Sequence, residues 1–141
     1  MKENSMNYSY VIDSYAWIEY FRGSKSGVKS KPYIEGGNSV TPTIVVAELS
    51  RKFTNEVNVG RETLDGRRKA LLYIGTTTTI FDLTKEVAEL AGEVDVERKV
   101  LVKGWGLADS IILATTRMLK AKIVTGDTHF KDLKDEIISV W

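Results

Sequence analysis

The sequence predicts an α/β fold with a central, mainly parallel sheet. Short apolar runs of strand character alternate along the chain with longer segments whose apolar residues recur at helical spacing. This alternation is typical of strand–helix–strand units, in which helices cover a parallel sheet. The length of 141 residues is that of one domain. We therefore expect a single domain over residues 1–141, with the polar residues 1–7 flexible.

The elements of the first half are bounded by capping and turn residues. A strand is predicted over 8–12, and Asp13 or Ser14 suits the cap of the helix that follows. Pro42, whose φ is fixed, suits the first position of a helix capped by Thr41. The elements predicted after the first strand are a helix to about residue 21, a loop or short irregular helix over 22–37, a strand over 39–41, a helix over 42–55 and an amphipathic helix over 61–74.

The second half continues the same alternation. The threonine-rich residues 76–83 predict a strand, and residues 84–101 place their apolar side chains at helical spacing. Glycines on both sides of Trp105 separate that helix from the next one. The remaining predicted elements are a helix over 107–121, a strand over 122–125, a turn over 126–130 and a final strand over 137–140.

Composition excludes several kinds of protein. The chain has no cysteine, which excludes disulfides and thiolate metal sites and favours an intracellular protein. Its apolar runs are far shorter than the roughly 20 residues of a membrane helix, and no signal-peptide pattern opens the chain. The formal net charge of +1 gives no general attraction to nucleic acid. We expect a cytoplasmic protein with no membrane partner.

Four acidic residues fall where a parallel sheet places its ligand site. Such sheets bind ligands outside the carboxyl ends of their strands. Asp13 directly follows the first strand, and Asp127 follows a late strand after one glycine. Asp109 lies in the first turn of a helix, where the helix dipole favours a carboxylate, and Glu48 projects beside the apolar face of its helix. The sequence therefore predicts that these carboxylates converge.

Converging carboxylates need a counter-charge. Hard oxygen ligands favour Mg²⁺, with Mn²⁺ as a substitute, over zinc. Such a metal activates a water and neutralises charge on a phosphate, and a second metal would stabilise the leaving oxygen. Phosphodiester hydrolysis is the reaction that suits these residues best.

Each acid also has a purely structural interpretation. Asp13 can cap a helix, Asp109 can interact with a helix dipole, and Asp127 can be an ordinary turn residue. Glu48 can pair with Lys52, four residues further on. These interpretations do not explain why three of the acids coincide with strand or helix ends on the predicted binding edge.

Four strings of the sequence resemble the acidic blocks of PIN domains, most closely those of the VapC toxins of VapBC toxin–antitoxin systems. They are VIDSYAWIEYFRG, TPTIVVAELSRKF, GLADSIILATTRMLKAKIVTGD and HF, in family order. The resemblance implies a three-layer sandwich whose central, mainly parallel sheet is flanked by helices. It also implies a Mg²⁺-dependent endoribonuclease that leaves a 5′-phosphate and a 3′-hydroxyl, a homodimer, and a VapB-like antitoxin partner.

The resemblance also assigns roles to individual residues. The catalytic acids and metal ligands of the four blocks, with Glu48 binding directly or through water, are Asp13, Glu48, Asp109 and Asp127. Ser14 and Thr125 are hydroxyls that orient the site. Many relatives have a further acid where this chain has His129, so a second metal is less well supported than the first. Whether His129 or the nearby Asp132 contributes is open at this stage.

RNA contacts are expected from basic and aromatic side chains near the acids. Basic residues would contact phosphates, and Trp105, between two glycines just before Asp109, would contact a base or a partner. For the basic residues the alternative is an ordinary solvated helix face. The candidates are Arg22, Arg51, Lys52, Arg67, Arg68 and Trp105.

Three other classes of protein share parts of this pattern. A receiver-like signalling domain has adjacent acids early in the chain and a lysine after a late strand, whereas Ser14 follows Asp13 here and Thr125 ends the late strand. A phosphatase with an Asp-x-Asp motif is disfavoured by Tyr15. The main alternative is a non-catalytic PIN-like module that binds RNA or protein, and the presence of all four acids argues against it.

Overall fold

The computed structural model describes residues 7–141. Residues 1–6, most of the segment predicted to be flexible, lie outside the described residues, and Asn7 is exposed. Between residues 7 and 141, no helix is both long enough and apolar enough to span a membrane. The elements are β1 (Tyr10–Ile12), α1 (Ser14–Arg22), α2 (Lys25–Glu35), β2 (Ser39–Pro42), α3 (Thr43–Asn58), α4 (Leu64–Thr77), β3 (Thr79–Phe81), α5 (Lys85–Lys99), α6 (Leu107–Leu119), β4 (Lys122–Thr125), a 3₁₀ turn (Thr128–Phe130) and β5 (Ile137–Ser139). The single domain over residues 1–141 stays a prediction.

The strands form one parallel sheet in the order β3-β2-β1-β4-β5. Val11 of β1 pairs with Val40 of β2 on one side and with Ile123 of β4 on the other. The strand order reverses at β1, because β2 and β3 extend the sheet in one direction and β4 and β5 in the other. A crevice at the carboxyl end of such a switch point is the usual ligand site of an open α/β sheet.

The central strands are covered by helices on both faces. Val11 and Ile12 of β1 and Ile123 and Val124 of β4 are fully buried, although successive side chains of a strand point to opposite faces. Helices pack in neighbouring pairs, α1 with α2, α3 with α4, and α5 with α6. The predicted α/β class and three-layer architecture are thereby confirmed.

Residues 22–37 differ from the prediction of a loop or short irregular helix, because they contain the eleven-residue helix α2. Ser24 caps this helix by accepting a hydrogen bond from the Gly27 N–H (3.1 Å). A Cβ on Gly27 would lie 2.0 Å from the carbonyl oxygen of Glu19, so α2 approaches α1 more closely than a larger residue would allow. The buried face of α2 thus includes small residues, which leave little apolar periodicity to detect.

The predicted start of α3 is wrong by one residue. Pro42 is the last residue of β2 and the N-cap of α3, and no side-chain hydrogen bond caps this helix. The Thr41 hydroxyl, predicted as the cap, instead accepts from the Trp17 indole N–H (3.0 Å) and shares a hydrogen bond with the Thr78 hydroxyl (2.7 Å). All three side chains are buried, so this polar contact joins α1 to the sheet.

Candidate active site

Asp13 lies at the switch point of the sheet, directly after β1. Its N–H donates to the Val124 carbonyl of β4 (3.4 Å), and its Oδ1 accepts from the Ala16 N–H of α1 (2.9 Å). Thr125, at the end of β4, lies close enough to this carboxylate to lower its pKa. Asp13 is only 3% exposed. The residue therefore caps α1, as the structural interpretation predicts, and is also a buried carboxylate between two strands.

Burial makes the Asp13 carboxylate costly to ionise. The pKa of Asp13 is raised from 3.8 to about 7, chiefly because burial desolvates the carboxylate, although Thr125 and the hydrogen bond from the Ala16 N–H lower it. The negative charges of Asp127 and Glu48 contribute to the same rise in the pKa of Asp13. A bound cation would reverse this balance by stabilising the ionised carboxylate.

Glu48 reaches the same region from α3. It is half-buried, and its Oε1 accepts a hydrogen bond from the Ser14 hydroxyl of α1. Burial raises the pKa of Glu48, the Ser14 hydrogen bond lowers it, and the charges of Asp109 and Asp127 raise it again. The cation that acts on Glu48 is Arg51 rather than the predicted partner Lys52.

The tightest group of potential metal ligands consists of Asp109, Asp127 and His129, each of which offers one atom within 4.8 Å of the other two. Nδ1 of His129 lies 2.9 Å from Oδ2 of Asp109 and 4.0 Å from Oδ1 of Asp127. The Gly106 N–H donates to Asp109 (3.0 Å), and the His129 N–H donates to Asp127 (2.9 Å). The structure therefore places the single histidine of the chain among the acids.

Asp132, in contrast, is paired with Arg98 of α5. The buried Arg98 guanidinium donates to both Asp132 oxygens (2.7 and 2.8 Å) and to the His129 carbonyl oxygen (3.3 Å). It also lies 4.6 Å from the centre of the Trp105 ring, in cation–π contact. Asp132 thus stabilises the turn that carries Asp127, and Arg98 is a supporting residue that the sequence pattern did not single out.

The donor set fits a hard divalent cation. Carboxylate oxygens dominate it, and they are the ligands typical of Mg²⁺ and Mn²⁺, whereas the one imidazole nitrogen is a softer donor more typical of transition metals. Asp127 raises the pKa of both Asp13 and Glu48, so the acids repel one another, and a cation would relieve this repulsion. Asp13 and Glu48 lie outside this ligand group but are close enough for the charge of Asp127 to raise the pKa of both.

The residues predicted to contact RNA differ in their exposure and in their hydrogen bonding. Arg51 and Lys52 line a cleft that also includes Glu48. Trp105 is 3% exposed, and its indole N–H donates to the Ser110 hydroxyl (2.7 Å), so burial leaves its ring no free face for a base. The guanidinium groups of the other three candidates donate hydrogen bonds to neighbouring side chains: Arg22, Arg67 and Arg68.

Known proteins share this fold. The PIN domain family model matches residues 10–136. No curated protein matches the chain. A toxin–antitoxin complex from Klebsiella pneumoniae is similar over 94% of this chain and 98% of that chain, with 20% identity and a TM-score of 0.69. FitAcB from Neisseria gonorrhoeae is similar over 94% and 98%, with 21% identity and a TM-score of 0.68.

A third similar structure is VapC20 from Mycobacterium tuberculosis, described as a sarcin–ricin loop cleaving toxin. The similarity covers 89% of this chain and 95% of that chain, with 15% identity and a TM-score of 0.63. At such identities these three structures establish a common fold.

Proposed function

The chain belongs to the PIN domain family, and from this premise we propose that it is a metal-dependent endoribonuclease, the toxin of a VapBC-type toxin–antitoxin system. The observation that carries the proposal is the gathering of acids at the switch point, where Asp127 raises the pKa of both Asp13 and Glu48 and lies beside Asp109. The description of VapC20 as a sarcin–ricin loop cleaving toxin supports RNA as the substrate.

The residues at this edge have the chemistry that phosphodiester hydrolysis requires. A bound Mg²⁺, or Mn²⁺ in its place, would supply charge neutralisation at the phosphate and a more acidic water as nucleophile. Asp109, Asp127 and His129 would hold the cation, with Asp13 and Glu48 beside it, Glu48 directly or through water. Attack on phosphorus with departure of the 3′ oxygen leaves a 5′-phosphate and a 3′-hydroxyl.

Two hydroxyls orient the acids. The Ser14 hydroxyl donates to Glu48 and thereby links α1 to α3. The Thr125 hydroxyl oxygen accepts from the Asp127 N–H (2.9 Å), and Thr125 also lowers the pKa of Asp13, so one residue interacts with the acids that follow β1 and β4. Such fixed positions reduce the reorganisation needed in the transition state.

The proposed partners follow from the solved relatives. The Klebsiella structure is described as a toxin–antitoxin complex, which supports a VapB-like antitoxin for this chain. We propose that the protein acts as a homodimeric, cytoplasmic, single-domain toxin that the antitoxin keeps inactive.

The test is cleavage of total cellular RNA by the purified, antitoxin-free protein in Mg²⁺, in Mn²⁺ and in EDTA, followed by sequencing of the new ends. Asp109→Asn retains an oxygen that can accept from the Gly106 N–H, so it removes charge with little change in shape. Asp135→Asn, at an exposed position, is the matched control. We expect discrete 5′-phosphate ends with the unmodified protein and the control, and none with Asp109→Asn or in EDTA. Folded protein that cleaves no RNA with either metal would contradict the proposal and favour a non-catalytic binding module.

A further inference from the structure

A cleft of about 360 Å³ runs from the acidic site between α1 and α3. Ser14 and Glu48, which hold each other by a hydrogen bond, form one end of it. Beyond them the wall includes Ile18 of α1 and polar side chains from successive turns of α3, namely Arg51, Lys52 and Asn55. The cleft volume lies at the lower end of the range of small-ligand sites. The cleft is therefore large enough for about one nucleotide.

The cleft brings two basic side chains, Arg51 and Lys52, next to the acids. Within the part of the chain that the structure describes, neither Arg51 nor Lys52 takes part in an ion pair. Glu56, which also lines the cleft, has its own partner in Arg61 (3.4 Å). Two cations are therefore available to a phosphate beside Glu48.

The far wall offers groups that suit a base. Ile18 is half-buried and presents an apolar surface. The Asn55 side chain is exposed, and among residues 7–141 its amide makes no hydrogen bond. An amide can donate to and accept from the edge of a base, and such edges are open only in unpaired nucleotides.

We propose that this cleft binds the nucleotide next to the scissile phosphodiester of single-stranded RNA, with Arg51 on a phosphate and Asn55 on the base. Lys52 supplies the second positive charge, and Ile18 supports the base. This inference rests on the proposed function and assigns a specificity-determining role to Asn55, a residue outside the acidic blocks.

A binding measurement tests the cleft without cleavage. Fluorescently labelled single-stranded RNA is titrated with protein in the Asp109→Asn background, and Kd is measured by anisotropy at several salt concentrations. Arg51→Ala should weaken binding about fivefold to tenfold and reduce the salt slope by about one. Lys85→Ala, which removes an exposed cation paired with Glu89 on α5, is the control and should change Kd less than twofold.

Sequence preference tests the role of Asn55. A randomised RNA pool is cut by the unmodified protein, by Asn55→Ala and by the control Asn58→Ala, an exposed position on the same helix outside the cleft. We expect Asn55→Ala to lose about tenfold base preference at one position beside the cut and Asn58→Ala to retain it. Cleavage with unchanged preference and unchanged Kd in both cleft variants would refute the cleft while leaving the nuclease intact. RNA binding that depends on Arg51 in a protein that never cuts would overturn the proposed nuclease alone.

Discussion

Replacing Asp13 by asparagine should stabilise the metal-free protein while abolishing cleavage. Burial raises the pKa of Asp13 from 3.8 to about 7, so above neutral pH the fold contains an ionised carboxylate that the unfolded chain solvates better. Since each pKa unit is worth about 1.4 kcal/mol, this rise corresponds to about 4 kcal/mol. The asparagine side chain would be uncharged, and its amide oxygen can accept from the Ala16 N–H as the Asp13 carboxylate does.

The sign of the pH dependence follows from the direction of the pKa change. Between the unfolded pKa of 3.8 and the folded value of about 7, the native state holds a proton that the unfolded state has lost. The contribution of Asp13 to stability is therefore complete below about pH 4, is lost as pH rises, and levels off above about pH 7. The difference between Asp13→Asn and the unmodified protein should grow from near zero at pH 4 to about 2–4 kcal/mol at pH 8.

Urea denaturation in EDTA from pH 4 to pH 8 measures this difference. Asp135→Asn is the control for general charge effects, because Asp135 is exposed, and it should give no such pH-dependent difference. Mg²⁺ should stabilise the unmodified protein more than Asp13→Asn, since a cation bound to the native state favours folding. An Asp13→Asn protein no more stable than the unmodified one at pH 8 would refute the view that burial of this carboxylate costs stability.

Two further predictions concern the scaffold, and both are checked by urea denaturation. Gly27→Ala should destabilise the protein by about 1–3 kcal/mol, because the added Cβ would lie 2.0 Å from the Glu19 carbonyl oxygen. Gly92→Ala, which has open space around it, should stabilise the protein by up to about 1 kcal/mol. Equal effects of the two substitutions would contradict the close contact of α1 and α2. Arg98→Ala should lower the free energy of unfolding by about 2–3 kcal/mol, because the cation–π contact and the hydrogen bonds to Asp132 are lost. It should also weaken the Mg²⁺ affinity measured by calorimetry, and an unchanged affinity would mean that Arg98 does not support the site.

Strand ends were the part of the molecule that the sequence predicted best. Asp13 and Asp127 follow apolar runs of β-branched residues, and a parallel sheet brings the carboxyl ends of such strands together whatever the details of the helices. The predicted β4 has the boundaries that the structure gives it, Lys122–Thr125. Register and strand order then determine which acids are neighbours.

Contacts between distant segments explain what the sequence did not predict. The helix α2 is hidden in the sequence because Gly27 and Ser30, which are buried against the fold, carry no apolar signal. The roles of His129 and Asp132 could not be separated by their spacing, since the difference depends on Arg98, more than thirty residues earlier. For the same reason Trp105 looked like an exposed contact between two glycines, although its ring lies under Arg98.

The structural and functional interpretations of the acids are compatible because a carboxylate that accepts one backbone hydrogen bond keeps further lone pairs for a cation. Asp13, Asp109 and Asp127 each accept a hydrogen bond from a backbone N–H two or three residues away. Such a bond restricts the side chain to one orientation before any ligand binds, which is the preorganisation that a metal site needs. An Asp→Asn change keeps an oxygen for this bond and removes the charge, whereas Asp→Ala removes both. Loss of cleavage in the Asn variants with retained stability would therefore assign the activity to charge, and a further loss of stability in the Ala variants would measure the local bond.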